Sequence, residues 1–433
     1  MSKQHLIIDN GSYNIKAGFN LDTETTTTTT TNTNTVEEQK LRSKPIKIFN
    51  AITKTKDGLI HIGNQFKSHS NEFTGLQIKR PFDQGHLTSW ETEKPIWDYT
   101  FDQIQNEHSK KEFDPSEINL ILTETPFQLP QLSSNTDQII FEEYGFNDYY
   151  RCISASLVPF SIDQQKVNRD FTLIIDSGFN STWIIPMIYQ KVYWEGVKKL
   201  PVGGNLINGL LKEIINFRHY DISEDPILIN TIKESTCFIA ENFNETLLNK
   251  RQQKCEFVLP DFKTTTTGFV KTKNSPSISS DSQILKLYDE RFIIPETLYH
   301  PEIIFELNST TASNPIIQST PIKNLTDLIV SSIMSCPEIT RPLLTSNIVL
   351  VGGTTNLKNF KSRLSDELTK ELPQKWVVKI HDNPPNIKQD EMSWYGGLNL
   401  SNDEILNKIS ISKKDYFEHG SNWCQKQFGF KSI

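Results

Sequence analysis

Two aspartates in this chain end apolar runs and stand directly before a glycine turn. The pattern Leu-Ile-Ile-Asp-x-Gly occurs over residues 6–11 and again over 173–178. Glycine lets a turn approach a ligand closely, and turn amides can bind phosphate oxygens. An aspartate at a strand end can hold a hydrated divalent cation. Asp9 and Asp176 are therefore candidate magnesium ligands through water, and the two turns could hold one polyphosphate from both sides.

Each turn must be positioned by the two apolar-rich runs around it, which predict a β-hairpin. The runs that follow the turns are 15–19 in the first copy and 183–186 in the second. Two facing hairpins would place both aspartates at one cleft. The alternative is a pair of unrelated strand–turn units, because Asp-x-Gly turns are common.

A third glycine element supports the pair. Residues 348–351 have the pattern of a buried strand, Gly352 and Gly353 follow it, and a helix-like period begins at Phe360. A glycine pair that ends a strand suits a base or ribose that lies flat on the backbone.

A helix predicted over residues 227–243 carries Lys233 and Glu234 at its centre. The two side chains could line a nucleotide cleft. They could equally be a solvated pair on the helix surface, which is the interpretation that the local sequence favours.

Composition bounds the class of protein. The chain has 433 residues, enough for two or three domains, and its 45 basic and 52 acidic side chains give a formal net charge of −7. A dominant face for nucleic-acid backbones is therefore not expected. There is no apolar run of about 18 residues, and the N-terminal apolar stretch is too short for a signal peptide. Five cysteines without CxxC spacing indicate a reduced intracellular protein.

Polar insertions explain the low apolar fraction of 36%. Residues 22–36 are rich in threonine, and the stretches at about 264–282 and 308–320 have a similar polar character. Segments this poor in apolar residues cannot offset their ordering entropy, so the sequence predicts disordered surface insertions there.

The motifs together resemble the actin family over nearly the full length of the chain. Further similarity lies in the segments 80–101, 122–124, 141–144, 290–296, 394–397 and 411–416. The resemblance implies nucleotide-binding residues in the first phosphate loop, the second phosphate loop, the adenosine motif and the cleft helices. They are Asp9, Gly11, Ser12, Lys16, Asp176, Ser177, Gly178, Gly204, Lys233, Glu234, Gly352, Gly353 and Thr354. A base-side lysine falls around Lys388.

The same resemblance implies the actin-like ATPase fold, an α/β fold shared with sugar kinases and seventy-kilodalton chaperones. Two lobes, each with a mixed sheet flanked by helices, form four subdomains around a nucleotide cleft. The small lobe is expected over 1–158, with a tip subdomain at about 41–77. The large lobe is expected over 159–394, with an outer subdomain at about 198–300, and residues 395–433 return to the small lobe.

Departures from the family pattern predict weak or no ATP hydrolysis. Ser154 stands where the family has a glutamine that orients the attacking water, and serine is too short to reach that water. Phe179 and Trp183 stand where the family has an acid and a histidine. Water positioning is most of what a phosphohydrolase contributes. We therefore expect no catalytic residues, and an ATP or ADP with magnesium that has a structural role.

The details resemble a nuclear branch of the family, whose members are subunits of chromatin-remodelling complexes that exchange a variant histone. The implied partners are a remodeller ATPase and a small zinc-finger subunit, with variant-histone dimers and nucleosomal DNA contacted indirectly. The implied location is nuclear, with some cytoplasmic protein, and the 46–78 segment lacks the family's filament-loop pattern. The alternatives are a cytoskeletal, filament-forming ATPase and a phosphotransferase or chaperone of the same superfold.

Overall fold

The computed structural model describes residues 4–20, 44–68, 75–107, 113–163, 167–261, 267–273, 275, 282–304 and 323–429. The predicted insertions 22–36 and 308–320 lie outside these residues. Within the described ranges, no helix is long and apolar enough to cross a membrane.

The first lobe is built on a six-stranded mixed sheet. Its order is β20-β10-β9-β1-β2-β3, in which β1, β9 and β10 are parallel and the other pairs are antiparallel. The strands are β1 Gln4–Asn10, β2 Asn14–Phe19, β3 Ile46–Phe49, β9 Ile118–Glu124, β10 Asp148–Ile153 and β20 Ile411–Ser412. The parallel strands place their carboxyl ends at one edge, where a ligand can meet several of them.

The second lobe repeats this plan around its own sheet, in the order β13-β12-β11-β18-β19, with β14 paired to β12. The strands are β11 Phe171–Ser177, β12 Thr182–Ile188, β13 Lys191–Val192, β14 Lys198–Leu200, β18 Ile348–Val351 and β19 Ile380–His381. The β11–β12 hairpin is antiparallel and β11–β18 is parallel, as β1–β2 and β1–β9 are in the first lobe. Both hairpins predicted from the repeated pattern are therefore present.

Two three-stranded sheets and one short hairpin lie outside the lobe sheets. The strands are β4 Ile52–Lys54, β5 Ile60–Ile62, β6 Gln77–Lys79, β7 Phe82–Asp83, β8 His86–Leu87, β15 Cys255–Val258, β16 Phe269–Val270 and β17 Ile284–Leu287. Phe269 and Val270, which lie inside the insertion expected at about 264–282, form β16 by pairing with Val258 and Phe257, and the insertion itself stays a prediction.

Helices flank both sheets. They are α1 Trp90–Glu107, α2 Pro130–Gln138, α3 Ser154–Ser161, α4 Gly204–Arg218, α5 Pro226–Thr236, α6 Phe243–Leu248, α7 Glu290–Ile293, α8 Leu325–Ser335, α9 Arg341–Thr345, α10 Phe360–Glu371, α11 Met392–Leu400, α12 Ile405–Ile409, α13 Lys413–His419 and α14 Ser421–Phe428.

The helix predicted over 227–243 is shorter than expected, because α5 ends at Thr236. Two tertiary hydrogen bonds take over from the helical ones: the Phe238 amide donates to the Arg291 carbonyl at 3.1 Å, and the Ile239 amide donates to the Lys358 carbonyl at 2.9 Å. The chain leaves the helix to pair beside the third glycine element.

Helices α3 and α11 join the two lobes. They pack closely on each other, so that a side chain at Gly396 would come within 1.9 Å of the Leu157 carbonyl oxygen. Trp394 is fully buried, and its indole N–H donates to the Ile7 carbonyl of the first sheet at 3.2 Å. The expected lobe boundaries at 158 and 394 fall inside these helices and stay predictions.

Candidate nucleotide-binding site

A cavity of about 590 Å³ lies at the carboxyl ends of the parallel strands in the two lobe sheets. Its volume is in the range of small-molecule sites. It is lined by residues from both hairpins, from the third glycine element and from α4 and α5. The sequence-predicted residues in this lining are Asp9, Gly11, Ser12, Lys16, Ser154, Asp176, Gly178, Phe179, Trp183, Gly204, Lys233, Glu234, Gly352, Gly353, Thr354 and Lys388. The fold thus brings together side chains that are far apart in the sequence.

The first hairpin presents a paired carboxylate and ammonium. Asp9 lies opposite Lys16 in the β1–β2 register, and Lys16 Nζ is 2.9 Å from Asp9 Oδ2. Burial would lower the pKa of the Lys16 ammonium, but the charge and hydrogen bond of Asp9 outweigh it and raise that pKa. Lys16 therefore stays charged. Because an ammonium has three protons, it can donate to an anion in the cavity as well as to Asp9.

Thr123 fixes the other oxygen of Asp9, and the sequence analysis did not single it out as a site residue. Its hydroxyl donates to Asp9 Oδ1 at 2.9 Å and accepts from the Asn10 amide at 3.0 Å. The signal available was its position near the end of β9, because neighbouring parallel strands end at the same edge.

The second hairpin presents Asp176 without a lysine. In its register Asp176 lies opposite Trp183, where the first hairpin has Lys16 opposite Asp9. Burial, and then the charge of Asp9, raise the pKa of Asp176 to about 6. The two carboxylates repel each other across the cavity, so a cation between them would be favoured electrostatically.

A magnesium ion fits this donor set. Within the described part of the chain, no group of three or more His, Cys, Asp or Glu is placed to hold a metal ion. A cation between Asp9 and Asp176 would therefore take most of its ligands from water and phosphate, which is the usual coordination of Mg²⁺. Asp9 and Asp176 would hold it, and it would supply charge neutralisation to a bound polyphosphate.

Ser177 is the one predicted nucleotide-binding residue that the structure does not bring into the lining. Its side chain is fully buried, and its hydroxyl pairs with Thr182 Oγ1 at 2.7 Å. The β-strand alternation explains this, since Ser177 points to the face opposite Asp176. Its place is beneath the hairpin, where it supports the turn.

The third glycine element is fixed to the second hairpin. Gly352 has a φ of 91°, and a Cβ there would lie 2.3 Å from the Ser177 carbonyl oxygen. The Thr354 hydroxyl donates to the Gly178 carbonyl at 2.9 Å. The turn and the hairpin therefore form one surface, with Gly353 facing open space.

Lys233 enters the cavity from α5. It is buried, and its Nζ donates to Asn230 Oδ1 at 2.8 Å and to the Gly204 carbonyl at 3.3 Å. Burial lowers the pKa of its ammonium to about 8, against the charge of Glu234, which raises it. The interpretation of Lys233 and Glu234 as a solvated pair is wrong for Lys233. Glu234 is exposed at the rim and accepts from Asn230 at 2.8 Å.

The Ser154 side chain is hydrogen-bonded to Asp176. Its hydroxyl donates to Asp176 Oδ2 at 3.1 Å, and a hydroxyl has only one proton to donate.

The other two departures from the family pattern, Phe179 and Trp183, are aromatic side chains that line the cavity. Phe179 packs on Tyr13 with ring centroids 4.9 Å apart, and the Lys199 ammonium lies 5.0 Å from the centroid of the Trp183 ring.

The two-lobed fold, the duplicated hairpins and the cavity between them define an actin-like ATPase fold. The family model described as Actin matches residues 1–429, and the chain belongs to the actin family. It is 62% identical to the "Actin-like protein ARP6" of Candida albicans, with 99% of each chain covered. It is also 58% identical to the protein of that name in Debaryomyces hansenii over the whole of both chains, and 33% identical to the one in Saccharomyces cerevisiae.

Proposed function

We propose that this chain binds ATP or ADP with magnesium in the cleft and hydrolyses ATP weakly or not at all. The observation that supports it best is the difference between the two aspartates. Asp9 is held between Lys16 and Thr123, an arrangement suited to a metal-bound polyphosphate. Asp176 instead accepts a hydrogen bond from the Ser154 hydroxyl and has no lysine beside it.

Weak hydrolysis follows from what surrounds the expected position of the γ-phosphate. Ser154 is hydrogen-bonded to Asp176, and its side chain is too short to reach the water that the family's glutamine orients. Phe179 and Trp183 offer rings where a polar group would be needed. Positioning contributes several kcal/mol to the lowering of such a barrier, on the order of 7–11 kcal/mol when complete. Its loss leaves the nucleotide bound but stable.

A nucleotide retained in this way would be structural. It would contact both hairpins and the third glycine element, and therefore both lobes. A ligand that binds the native state and not the unfolded chain stabilises the native state by mass action, by about 2.7 kcal/mol at one hundred times its dissociation constant.

We further propose that the chain is a non-filamentous nuclear subunit of a histone-exchange remodelling complex. This rests on the residues that resemble the nuclear branch of the family and on the shared name of its relatives. Its direct partners would be the remodeller ATPase and a small zinc-finger subunit. Variant-histone dimers and nucleosomal DNA would be reached through them.

Affinity purification of the tagged chain from its own cells, with an untagged strain as control, tests this role. The expected result is recovery of a remodeller ATPase and variant-histone dimers in stoichiometric amounts. Sedimentation of the purified chain with MgATP under polymerising salt should leave it in the supernatant. Recovery of filament-capping proteins and conventional actin alone, or a pellet of filaments, would favour a cytoskeletal role instead.

A further inference from the structure

An arginine surrounded by three aromatic rings lies beside the phosphate hairpins. The Arg80 guanidinium carbon is 4.7 to 4.9 Å from the ring centroids of Tyr13, Phe49 and Phe179. Its Nη1 donates to the Ser12 carbonyl at 3.0 Å and to the Asn50 carbonyl at 3.3 Å. Among the described residues Arg80 makes no ion pair with a carboxylate, so rings and carbonyl groups hold its charge. Guanidinium–ring contacts of this kind gain strength when water is excluded.

The cluster of Arg80, Tyr13, Phe49 and Phe179, which we term the ring cluster, spans the cleft. Tyr13 lies in the first hairpin, Phe49 ends β3, and Arg80 follows β6, so all three belong to the small-lobe side. Phe179 lies in the turn of the second hairpin. Separation of the lobes would therefore break the Tyr13–Phe179 contact and the Arg80–Phe179 contact together.

Further contacts across the cleft involve the tip subdomain expected at about 41–77. Ile227 of α5 packs against the cluster that contains Phe49. The Gly75 amide donates across the cleft to Asp225 Oδ1 at 3.2 Å. Lys56 and Glu224 also pair across it at 2.7 Å, but both are exposed, and such pairs contribute little. The ring cluster is thus the part of the closure that is buried at Phe49, half-buried at Tyr13, Arg80 and Phe179, and adjacent to the cavity.

We propose that Arg80 and Phe179 are nucleotide-retaining residues, which hold the two phosphate hairpins together and slow the release of a bound nucleotide. The proposal rests on the proposed nucleotide binding. Tyr13 and Phe179 line the cavity and Arg80 does not, so Arg80 acts through the rings as a positioning residue. Opening must break one aromatic pair and one cation–π contact. Their loss should speed release by roughly ten-fold or more.

Release of a fluorescent ATP analogue tests this. The full chain is loaded with methylanthraniloyl-ATP and magnesium, and its dissociation is followed after excess ATP is added. Phe179→Leu keeps an apolar side chain without a ring, and Arg80→Lys keeps the charge without the planar group. Both should release the analogue roughly ten-fold faster than the wild type. Phe217→Ala, at a phenylalanine that is 89% exposed, should release it at the wild-type rate.

Three further measurements separate retention from a general loss of structure. Phe179→Tyr preserves the ring and should keep release slow, and the melting temperature of every variant without nucleotide should fall by no more than a few degrees. Association should also become faster in Phe179→Leu, because opening limits both directions. Slow release in Phe179→Leu, or release from Phe179→Tyr as fast as from Phe179→Leu, would overturn the proposal.

The proposal can fail independently of nucleotide binding. If the wild type binds no analogue, the proposed nucleotide site is wrong, and the ring cluster is then tested by hydrogen exchange at the Gly75 amide, which is bonded across the cleft. Exchange in the nucleotide-free chain should be faster in Phe179→Leu than in Phe217→Ala. Equal rates would show that the ring cluster does not hold the lobes together.

Discussion

A pair of neighbouring glycines offers a sharp test of how the base side of the cleft is built. Gly352 and Gly353 both line the cavity, but only Gly352 is tightly constrained. Its φ of 91° and ψ of 153° lie in a region that is essentially closed to other residues. A Cβ at Gly352 would lie 2.3 Å from the Ser177 carbonyl oxygen and 2.9 Å from Asp176 Oδ1, whereas a Cβ at Gly353 would meet nothing within 4 Å.

The expected effects follow from these distances. Gly352→Ala places a residue in a strained backbone region, which costs about 1–3 kcal/mol, and it adds an overlap with a backbone carbonyl. That carbonyl cannot retreat freely, because β11 and β18 are paired there through Asp176 and Val351. We expect a loss of about 3 kcal/mol in the free energy of unfolding, and Gly353→Ala should stay within about 0.5 kcal/mol of the wild type.

Urea unfolding without nucleotide, followed by tryptophan fluorescence, measures both variants under the same conditions. Binding of ATP to the folded Gly353→Ala chain provides the second reading. If a base or ribose lies flat on this turn, the methyl group should weaken binding about ten-fold or more while stability is unchanged. Equal stability of the two variants would refute the account of Gly352, and unaltered ATP affinity in Gly353→Ala would refute the flat packing of the ligand.

Three further predictions concern buried charge. Burial raises the pKa of Glu93, whose described partners Trp97, Asn50 and Asn10 are all neutral, to about 7. Because the carboxyl pKa is raised in the native state, the free energy of unfolding of the wild type falls as pH rises from about 4.5 to about 7. In urea unfolding, the difference in free energy of unfolding between Glu93→Gln and the wild type should therefore shift by about 2.5 kcal/mol in favour of Glu93→Gln between pH 5 and pH 8. A difference that does not change with pH would contradict this. Because the pKa of Lys233 is lowered to about 8, its positive charge is present below that pH and lost above it, and ATP affinity should fall between pH 7 and pH 9. In Lys233→Met, titration calorimetry should show weaker binding of ATP with this pH dependence removed, and a dependence that persists would assign it to another group.

The sequence predicted the parts of the site that depend on local pattern. Both hairpins could be found because a buried strand, a glycine turn and a second strand leave a repeated signature. The motif match also put Ser177 among the nucleotide-binding residues, because such a match ignores the strand alternation that turns the Ser177 side chain into the protein interior. The helix from Phe360 was also predictable, because its apolar period is regular.

Features that depend on distant contacts could not be predicted. The end of α5 at Thr236 is set by hydrogen bonds to Arg291 and Lys358, and the burial of Lys233 follows from its packing under Gly204. Pairing of Phe269 with Val258 converts part of a polar stretch into a strand. Phe179 and Arg80 are far apart in the chain, and no spacing rule indicates that they stack.

We propose above all that this actin-family chain binds ATP in its cleft and leaves the ATP intact. The most direct test is a single-turnover experiment, in which γ-labelled ATP and magnesium are mixed with excess purified chain and both bound nucleotide and released phosphate are followed over time. Essentially all of the ATP should become bound, and phosphate should be released at a rate close to that of free ATP. Binding followed by rapid conversion to ADP and phosphate, or no binding at all, would contradict it.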